Sequence, residues 1–413
     1  MAVLKKNKWA IFSFVISLYF LSYFYRVSTA IISPDLVKEF KIGAEKLGFL
    51  SSIYFYTFAL AQFPLGPLLD RVGPRKVMTI LGSVAAIGAL IFATGNNFSY
   101  AVIGRGFIGL GVSVAYMGTL KILANWFEFD EFAMMSALAM AIGNAGAIVA
   151  TAPLAYVVSF IGWRMTFAII AGINILVVLL IFTFVRDYPK HRKTLHYTSD
   201  EIDIKESFKL VFLNKNFWLI SVLTFFWFGS FLGIQGLWGG PYLMDIFNFS
   251  KEEAGNVLSM IAFGFIVGGP VLGRISDKLL KSRKKLIFAS LVIFTVNIIL
   301  MISFGGVIST PMLYLLFFTF GFFGSSGIIT YAHLKELFPL SISATAMTCL
   351  NFFAIMGAAL LQHGMGAIIE HFDKLPSGAY PFEAYKWAYL FAVFGMCISL
   401  FLYLFSKENQ EHN

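Results

Sequence analysis

The sequence predicts an all-α integral membrane protein with twelve transmembrane helices in two pseudo-symmetric bundles of six. Three observations predict this fold class: the composition, the spacing of the apolar segments and an internal repeat. Of the 413 residues, 58% are hydrophobic and only 13% are charged, whereas about 25% are charged in soluble domains. In lipid only helices and closed barrels satisfy the backbone polar groups. The alternating ten-residue strands of a barrel are absent, so the apolar segments are predicted to be helices.

The apolar segments are long enough to cross a bilayer, which takes about 20 residues. They fall near 9–32, 47–69, 75–94, 99–122, 133–158 and 164–185, and then near 217–240, 254–275, 284–306, 311–334, 343–369 and 384–405. We therefore predict one bundle over 1–185 and another over 217–413. The charged stretch 186–216 is predicted to be a linker with a short amphipathic helix near 200–212.

The basic residues predict the orientation of the chain in the membrane. Lysine and arginine cluster before the first segment, in the loops after the second and eighth segments, and in the linker. These positions share one side if the segments alternate, and the positive-inside rule makes that side cytoplasmic, with both termini. The acidic stretch EFDEF at 128–132 is an exception. The net charge of +9 lies in these short loops, so it does not indicate a nucleic-acid partner.

An internal repeat supports two related halves. GPLLDRVGPRKV begins at Gly66, and GRISDKLLKSRKKL begins at Gly273. GTLKILANWF places Lys121 at the end of the fourth segment, and YAHLKELFP places Lys335 at the end of the tenth. Two parallel copies of a six-helix unit are typical of one large class of secondary transporters.

The first repeated loop resembles the loop signature of the major facilitator superfamily. The matching residues are Gly66, Asp70, Arg71, Gly73 and Arg75, with Asp277 in the second copy and Arg105 in a signature of the fourth segment. The resemblance implies that the two halves rock around a central site, and it implies gating roles for these residues. Lys121 and Lys335 are interpreted either as anchors at the membrane surface or as parts of an inner gate with Glu336. The alternative is that the basic loops only determine topology.

Arg26 lies inside the first apolar segment, where a cation is costly in lipid. Ser22 and Arg26 are four residues apart and share one helix face, with Tyr23 beside them. This face is predicted to line a polar cavity and to contact an anion. The alternatives are that Arg26 reaches the headgroups or stabilises a helix interface.

The sequence around Arg26 is similar to the organophosphate and organic-anion branch of that superfamily. In sugar-phosphate exchangers a second arginine in the seventh segment joins the first, but here the expected position falls near Leu232. One arginine suits a small organic anion or zwitterion, such as a monocarboxylate or an amino acid. Further candidates for the substrate site are Tyr54, Asn144, Gln235, Trp238 and His363, for which helix packing is the alternative.

Proton coupling requires a titratable group, and His333 and His363 are the candidates because imidazole changes charge near neutral pH. No nucleotide-binding loop and no metal-ligand spacing occur in the sequence. We therefore predict a monomeric transporter of a bacterial inner membrane, not an enzyme, that needs no cofactor or metal and uses ion or substrate gradients. The rival predictions are an exporter of drugs or metabolites and a non-transporting receptor of the same fold.

Overall fold

The computed structural model describes residues 2–189 and 204–408, and helices are the only regular secondary structure within these ranges. The prediction of an all-α fold is confirmed. The helices up to residue 184 are α1 (Ala2–Val27), α2 (Thr29–Phe40), α3 (Ala44–Arg71), α4 (Pro74–Thr94), α5 (Phe98–Val112), α6 (Ala115–Trp126), α7 (Phe129–Val149) and α8 (Ala152–Phe184). Those that follow are α9 (Ile204–Leu213), α10 (Lys215–Gly233), α11 (Gly239–Phe247), α12 (Lys251–Arg274), α13 (Arg283–Ser303), α14 (Thr310–Gly324), α15 (Ile329–Glu336), α16 (Leu340–Glu370) and α17 (Phe382–Tyr403).

Ten helical segments in the described parts of the chain are long and apolar enough to cross a membrane. They are Lys8–Val27, Pro74–Thr94, Phe98–Trp126, Ala152–Phe184, Lys215–Phe247, Lys251–Leu280, Arg283–Ser303, Thr310–Glu336, Thr345–Glu370 and Phe382–Tyr403. Helix α3 covers the second predicted segment, and the shorter apolar helix Met134–Val149 lies in the fifth. Twelve spans and the cytoplasmic termini therefore stay predictions.

The chain divides into two compact units. The first contains Met1–Ile42 and Leu50–Leu195, and the second contains Gly43–Phe49 and His196–Asn413. The main division falls inside the predicted linker. Helix α9 forms within that linker, as predicted, and residues 190–203 of the linker lie outside the described residues.

The first and fourth predicted spans of each unit each contain an interruption of the α-helix. In the first unit, α1 gives way to α2 at Ser28, and α5 gives way to α6 at 113–114. In the second unit, a π-helix at Ile234–Trp238 separates α10 from α11, and a 3₁₀ turn at Ser325–Ile328 separates α14 from α15. Irregular backbone at membrane depth persists where it is buried in protein or lines a cavity. The matching interruptions agree with the duplication seen in the sequence.

Glycine allows helices within each unit to approach at backbone distance. A Cβ atom built on Gly109 of α5 would overlap the carbonyl oxygen of Tyr54 in α3, and one on Gly264 of α12 would overlap that of Phe318 in α14. The hydrophobic effect does not drive helix association in lipid, so the helices depend on close van der Waals packing. Small residues at the crossing allow that packing. Gly66 does not have this role, because a Cβ there would meet nothing within 4 Å.

The acidic stretch after the fourth span has a local structural role. Glu128 caps α7 in a capping box with Glu131, in which each side chain accepts a hydrogen bond from the other residue's backbone. The carboxylate of Glu131 also lies 2.7 Å from Nζ of Lys8. Acidic residues are favourable at a helix N-terminus because the unpaired amides there carry partial positive charge. This role explains why the loop after the fourth span is acidic where the other loops on its side are basic.

Candidate functional site

Arg26 is buried inside the first unit, with only 7% of its surface exposed. Its guanidinium carbon lies 4.7 Å from the centre of the Tyr23 ring and 5.5 Å from that of Phe58 in α3. Its Nε atom is buried and has no hydrogen-bond acceptor. No carboxylate of the described chain forms an ion pair with it. The aromatic faces stabilise the cation, but its charge is not neutralised.

Tyr54 lies beside this arginine and links α3 to α1. Its hydroxyl donates to the carbonyl oxygen of Ser22 at 3.1 Å, and the Ser22 hydroxyl is 3.4 Å away. The Tyr54 ring also lies beside Arg105 of α5, whose guanidinium carbon is 5.1 Å from the ring centre. Arg105 is fully buried, and its Nε and Nη2 atoms have no acceptor. The first unit therefore contains two buried cations around one tyrosine.

The break at Ser28 explains how Arg105 is held. Helix α1 ends at Val27, so the last carbonyls of α1 are open to other donors. Nη1 of Arg105 donates to the Tyr25 carbonyl at 2.8 Å, and the Ser28 hydroxyl donates to the same oxygen at 3.2 Å. The spacing of residues in the sequence did not indicate this contact. Arg105 is thus a residue of the signature in the fourth segment that also contacts α1, the helix of Arg26.

Asn144 of α7 is buried, and its amide nitrogen donates to the Met140 carbonyl at 2.9 Å. This bond runs within its own helix and uses one amide hydrogen. A bond of this kind satisfies a polar side chain in an apolar span without requiring a ligand. The geometry of Asn144 therefore favours the packing alternative.

The second unit places Gln235 and Trp238 in the π-helix of the seventh span. The Trp238 indole donates to the Gln362 carbonyl of α16 at 2.9 Å, and the Gln362 amide donates to the Leu232 carbonyl at 2.7 Å. Trp238 is only 1% exposed, which favours helix packing for this residue. The Gln235 side chain forms no hydrogen bond with the described residues, and π-helical turns are frequent at functional sites. Gln235 therefore stays a stronger candidate for the substrate site than Trp238.

His363 is partly exposed in α16, and the centre of its ring lies 5.6 Å from that of Phe49. His333 is fully buried in α15. One of its ring nitrogens lies 2.8 Å from the Tyr403 hydroxyl, and the other lies 2.9 Å from the Lys407 carbonyl. Both nitrogens of His333 thus hold the end of α17, which indicates a structural role more than proton transfer.

Polar contacts hold the signature loop of the first unit in place. Asp70 forms an ion pair with Lys121. Gly73 adopts a φ of 92°, a conformation that glycine tolerates best. The backbone amide of Arg75 donates to Asp187 at 2.7 Å, and its side chain donates to the Phe182 carbonyl at 3.0 Å. The neighbouring Arg71 is exposed.

The second copy of the loop uses a different pairing. Arg283 contacts both Glu336, at 2.6 Å, and Asp277, at 3.4 Å. Lys335, the counterpart of Lys121, is exposed and forms no ion pair within the described chain. Glu336 is thus a partner of Arg283, and within the described chain no ion pair joins Glu336 to Lys335. Residues one or two positions apart on a helix do not face each other, which explains why Glu336 contacts Arg283 and not the adjacent Lys335.

The chain resembles proteins named as a probable transporter and as a membrane sensor. It is 22% identical over 286 residues to a probable sulfoacetate transporter, SauU, of Cupriavidus necator; the match covers 67% of this chain and 66% of the relative, just under two thirds of its length. It is 24% identical over 376 residues to the membrane sensor protein UhpC of Escherichia coli, with 85% and 84% coverage.

Solved structures agree on the fold. The crystal structure of a D-xylose–proton symporter aligns with a TM-score of 0.79 at 16% sequence identity, covering 98% of this chain and 99% of that one. The profile of the Major Facilitator Superfamily matches residues 15–239 and 236–413. With both halves matched and the duplicated loop in place, the chain belongs to the Major Facilitator Superfamily.

Proposed function

We propose that this membrane protein is a secondary transporter that takes up a small organic anion or zwitterion, and that Arg26 binds the anionic group. The observation that carries the proposal is that Arg26 is a buried cation with no carboxylate partner in the described chain. An unpaired buried charge is costly. Intramembrane ionisable residues of this kind commonly mark a substrate path.

The surroundings of Arg26 support an anionic substrate. A planar guanidinium matches a carboxylate in a two-bond arrangement. The Tyr23 ring contacts Arg26, Ser22 lies one helical turn before Arg26, and Arg105 adds a second positive charge beside Tyr54. The name of one relative, a probable sulfoacetate transporter, agrees with this substrate class because sulfoacetate is an organic anion. Transport is proposed to be coupled to protons or to run as exchange, with Asp70, Lys121 and Arg283 as gating residues.

A binding screen and a transport assay test the proposal. We expect carboxylates, amino acids or sulfoacetate to raise the melting temperature of the purified protein, and neutral sugars to leave it unchanged. A ligand at 100 times its Kd stabilises the native state by about 2.7 kcal/mol. The hits should then show counterflow in proteoliposomes. Stabilisation by neutral compounds alone would contradict the anion assignment.

The same assays separate the rival functions. A receptor is a second candidate because the sensor UhpC is among the relatives. Binding without counterflow would indicate such a receptor. Drug resistance on expression, with no anion uptake, would indicate an exporter.

A further inference from the structure

The π-turn of the seventh span, Ile234–Trp238, is held at both ends by one residue of α16. The side-chain amide of Gln362 donates to the carbonyl oxygen of Leu232, two residues before the turn, at 2.7 Å. The backbone carbonyl of Gln362 accepts the indole N–H of Trp238, the last residue of the turn, at 2.9 Å. All of these residues belong to the second unit. Two hydrogen bonds to a single residue thus span the turn.

The backbone of the turn shows what these bonds have to hold. The amide of Gly239 donates to the carbonyl of Ile234, five residues earlier, whereas an α-helix pairs residues four apart. A Cβ atom built on Gly239 would lie 2.6 Å from that same carbonyl oxygen, so glycine at this position removes a clash that would oppose the turn. Because π-helical bonding is rare in proteins, contacts from outside the helix are needed to keep the turn in this form.

Glycine also brings α16 close enough to make the contact. A Cβ atom built on Gly229 of α10 would lie 2.7 Å from the carbonyl oxygen of Gly357 in α16. One built on Gly233 would lie 3.0 Å from the sulfur of Met365. Gly229 and Gly233 are four residues apart and share one face of α10, and small residues on such a face allow close packing. Gln362 lies between Gly357 and Met365 in α16, and its side chain therefore reaches the backbone of the seventh span.

The Gln362 amide serves only as a donor. Gln362 is fully buried, and its Oε1 atom accepts no hydrogen bond in the described chain. A buried polar atom without a partner costs free energy, and leucine or methionine at this position would avoid that cost. The bond to the Leu232 carbonyl is the interaction that those apolar side chains could not make. This bond assigns Gln362 to the π-turn and not only to the general packing of α16.

We propose that Gln362 is a positioning residue that keeps the seventh span in its π-helical form and thereby sets the direction of Gln235. Gln235 is the second residue of the turn, and among the described residues its side chain forms no hydrogen bond that would orient it. A return to α-helical bonding would shift the ladder by one residue, which corresponds to about 100° around the helix axis. The role of Gln235 in substrate binding rests on the proposed function, whereas the hold of Gln362 on the turn does not.

The structure of Gln362→Met tests the hold on the turn without any substrate. Methionine has about the length of glutamine but cannot donate a hydrogen bond. We expect cryo-electron microscopy of the full chain in nanodiscs, with an antibody fragment bound, to show π-helical bonding at 234–238 in the wild type and α-helical bonding in the variant. Leu361→Met places the same side chain at the neighbouring buried position without removing a hydrogen bond, so it should keep the π-turn. A π-turn that persists in Gln362→Met, or that is missing from the wild type, would overturn the proposal.

Trp238→Phe is the second variant if Gln362→Met does not fold. It keeps an aromatic ring and removes the indole donor, so the bond at the end of the turn is lost. We expect the same change from π-helical to α-helical bonding. An unchanged π-turn in this variant would show that the bonds to Gln362 do not hold it.

A double-mutant cycle in ligand binding distinguishes positioning from packing. With a hit from the anion screen, we expect Gln362→Met to weaken binding about three- to tenfold, as for the loss of one hydrogen bond. If Gln362 acts through Gln235, adding Gln362→Met to Gln235→Leu should weaken binding no further. Additive losses would overturn the positioning role. If Gln362→Met loses the π-turn and no anion binds even to the wild type, only the proposed function is wrong.

Discussion

Replacing Arg26 with glutamine is expected to abolish uptake while the protein still folds and inserts. Removing one partner of a buried charge pair costs about 2 to 5 kcal/mol of binding free energy, which corresponds to at least about thirtyfold weaker binding. Arg26→Lys keeps the charge but loses the planar two-bond geometry. It should therefore show an intermediate affinity. Titration calorimetry and proteoliposome uptake, with a hit from the anion screen, measure both effects.

The control for Arg26 is Arg186→Gln, which removes the same charge from an exposed side chain just after α8. It should bind and transport like the wild type. The melting temperature and elution volume of each variant report on folding. Transport at the wild-type rate by folded Arg26→Gln would refute the role of Arg26 in binding. An equal loss for neutral and anionic cargo would assign the residue to structure.

The second large effect is expected from valine at Gly264. The new side chain would overlap the backbone of Phe318 in α14, and helices held at backbone distance cannot separate without losing their packing. Overpacking of this kind typically costs about 1 to 3 kcal/mol and occasionally more. We expect a lower yield of folded protein and a lower unfolding midpoint, measured by tryptophan fluorescence in detergent.

Gly172 provides a control in the interior of α8. A Cβ there would meet nothing within 4 Å, and Gly172→Val adds the same side chain to a helix interior. Because both substitutions replace glycine by valine inside a helix and away from proline, the difference between the variants reports the contact of α12 with α14. Equal midpoints for Gly264→Val and Gly172→Val would show that this crossing does not limit stability.

Several local features of the site follow from the sequence by simple spacing. Ser22 and Arg26 share a face because four residues make about one helical turn, and no tertiary information is needed for that inference. The repeated loop indicated related halves, and the pairing of Asp70 with Lys121 joins two residues that the signatures had singled out. The contact of Arg26 with Phe58 and the hydrogen bond of Arg105 to Tyr25 did not follow, because the sequence does not define the rotation of α3 and α5.

Other interpretations changed for the same reason. Glu336 follows Lys335 in sequence, but its carboxylate points to Arg283, 53 residues away. Trp238 was a candidate wall of the substrate site, and the carbonyl that accepts its indole hydrogen lies 124 residues away. Residue type predicted a polar contact in both cases, but it did not identify the partner.

The sequence alone determined that this protein crosses a membrane repeatedly, that it is duplicated, and that it carries an arginine where lipid disfavours one. Composition and periodicity suffice for these conclusions because the bilayer acts on every residue of a span in the same way. Only the tertiary structure decided which helices approach at glycine, where the spans break, and that Arg105 donates to the Tyr25 carbonyl. Those features depend on contacts between residues far apart in the chain, and they follow from packing geometry that local sequence patterns do not encode.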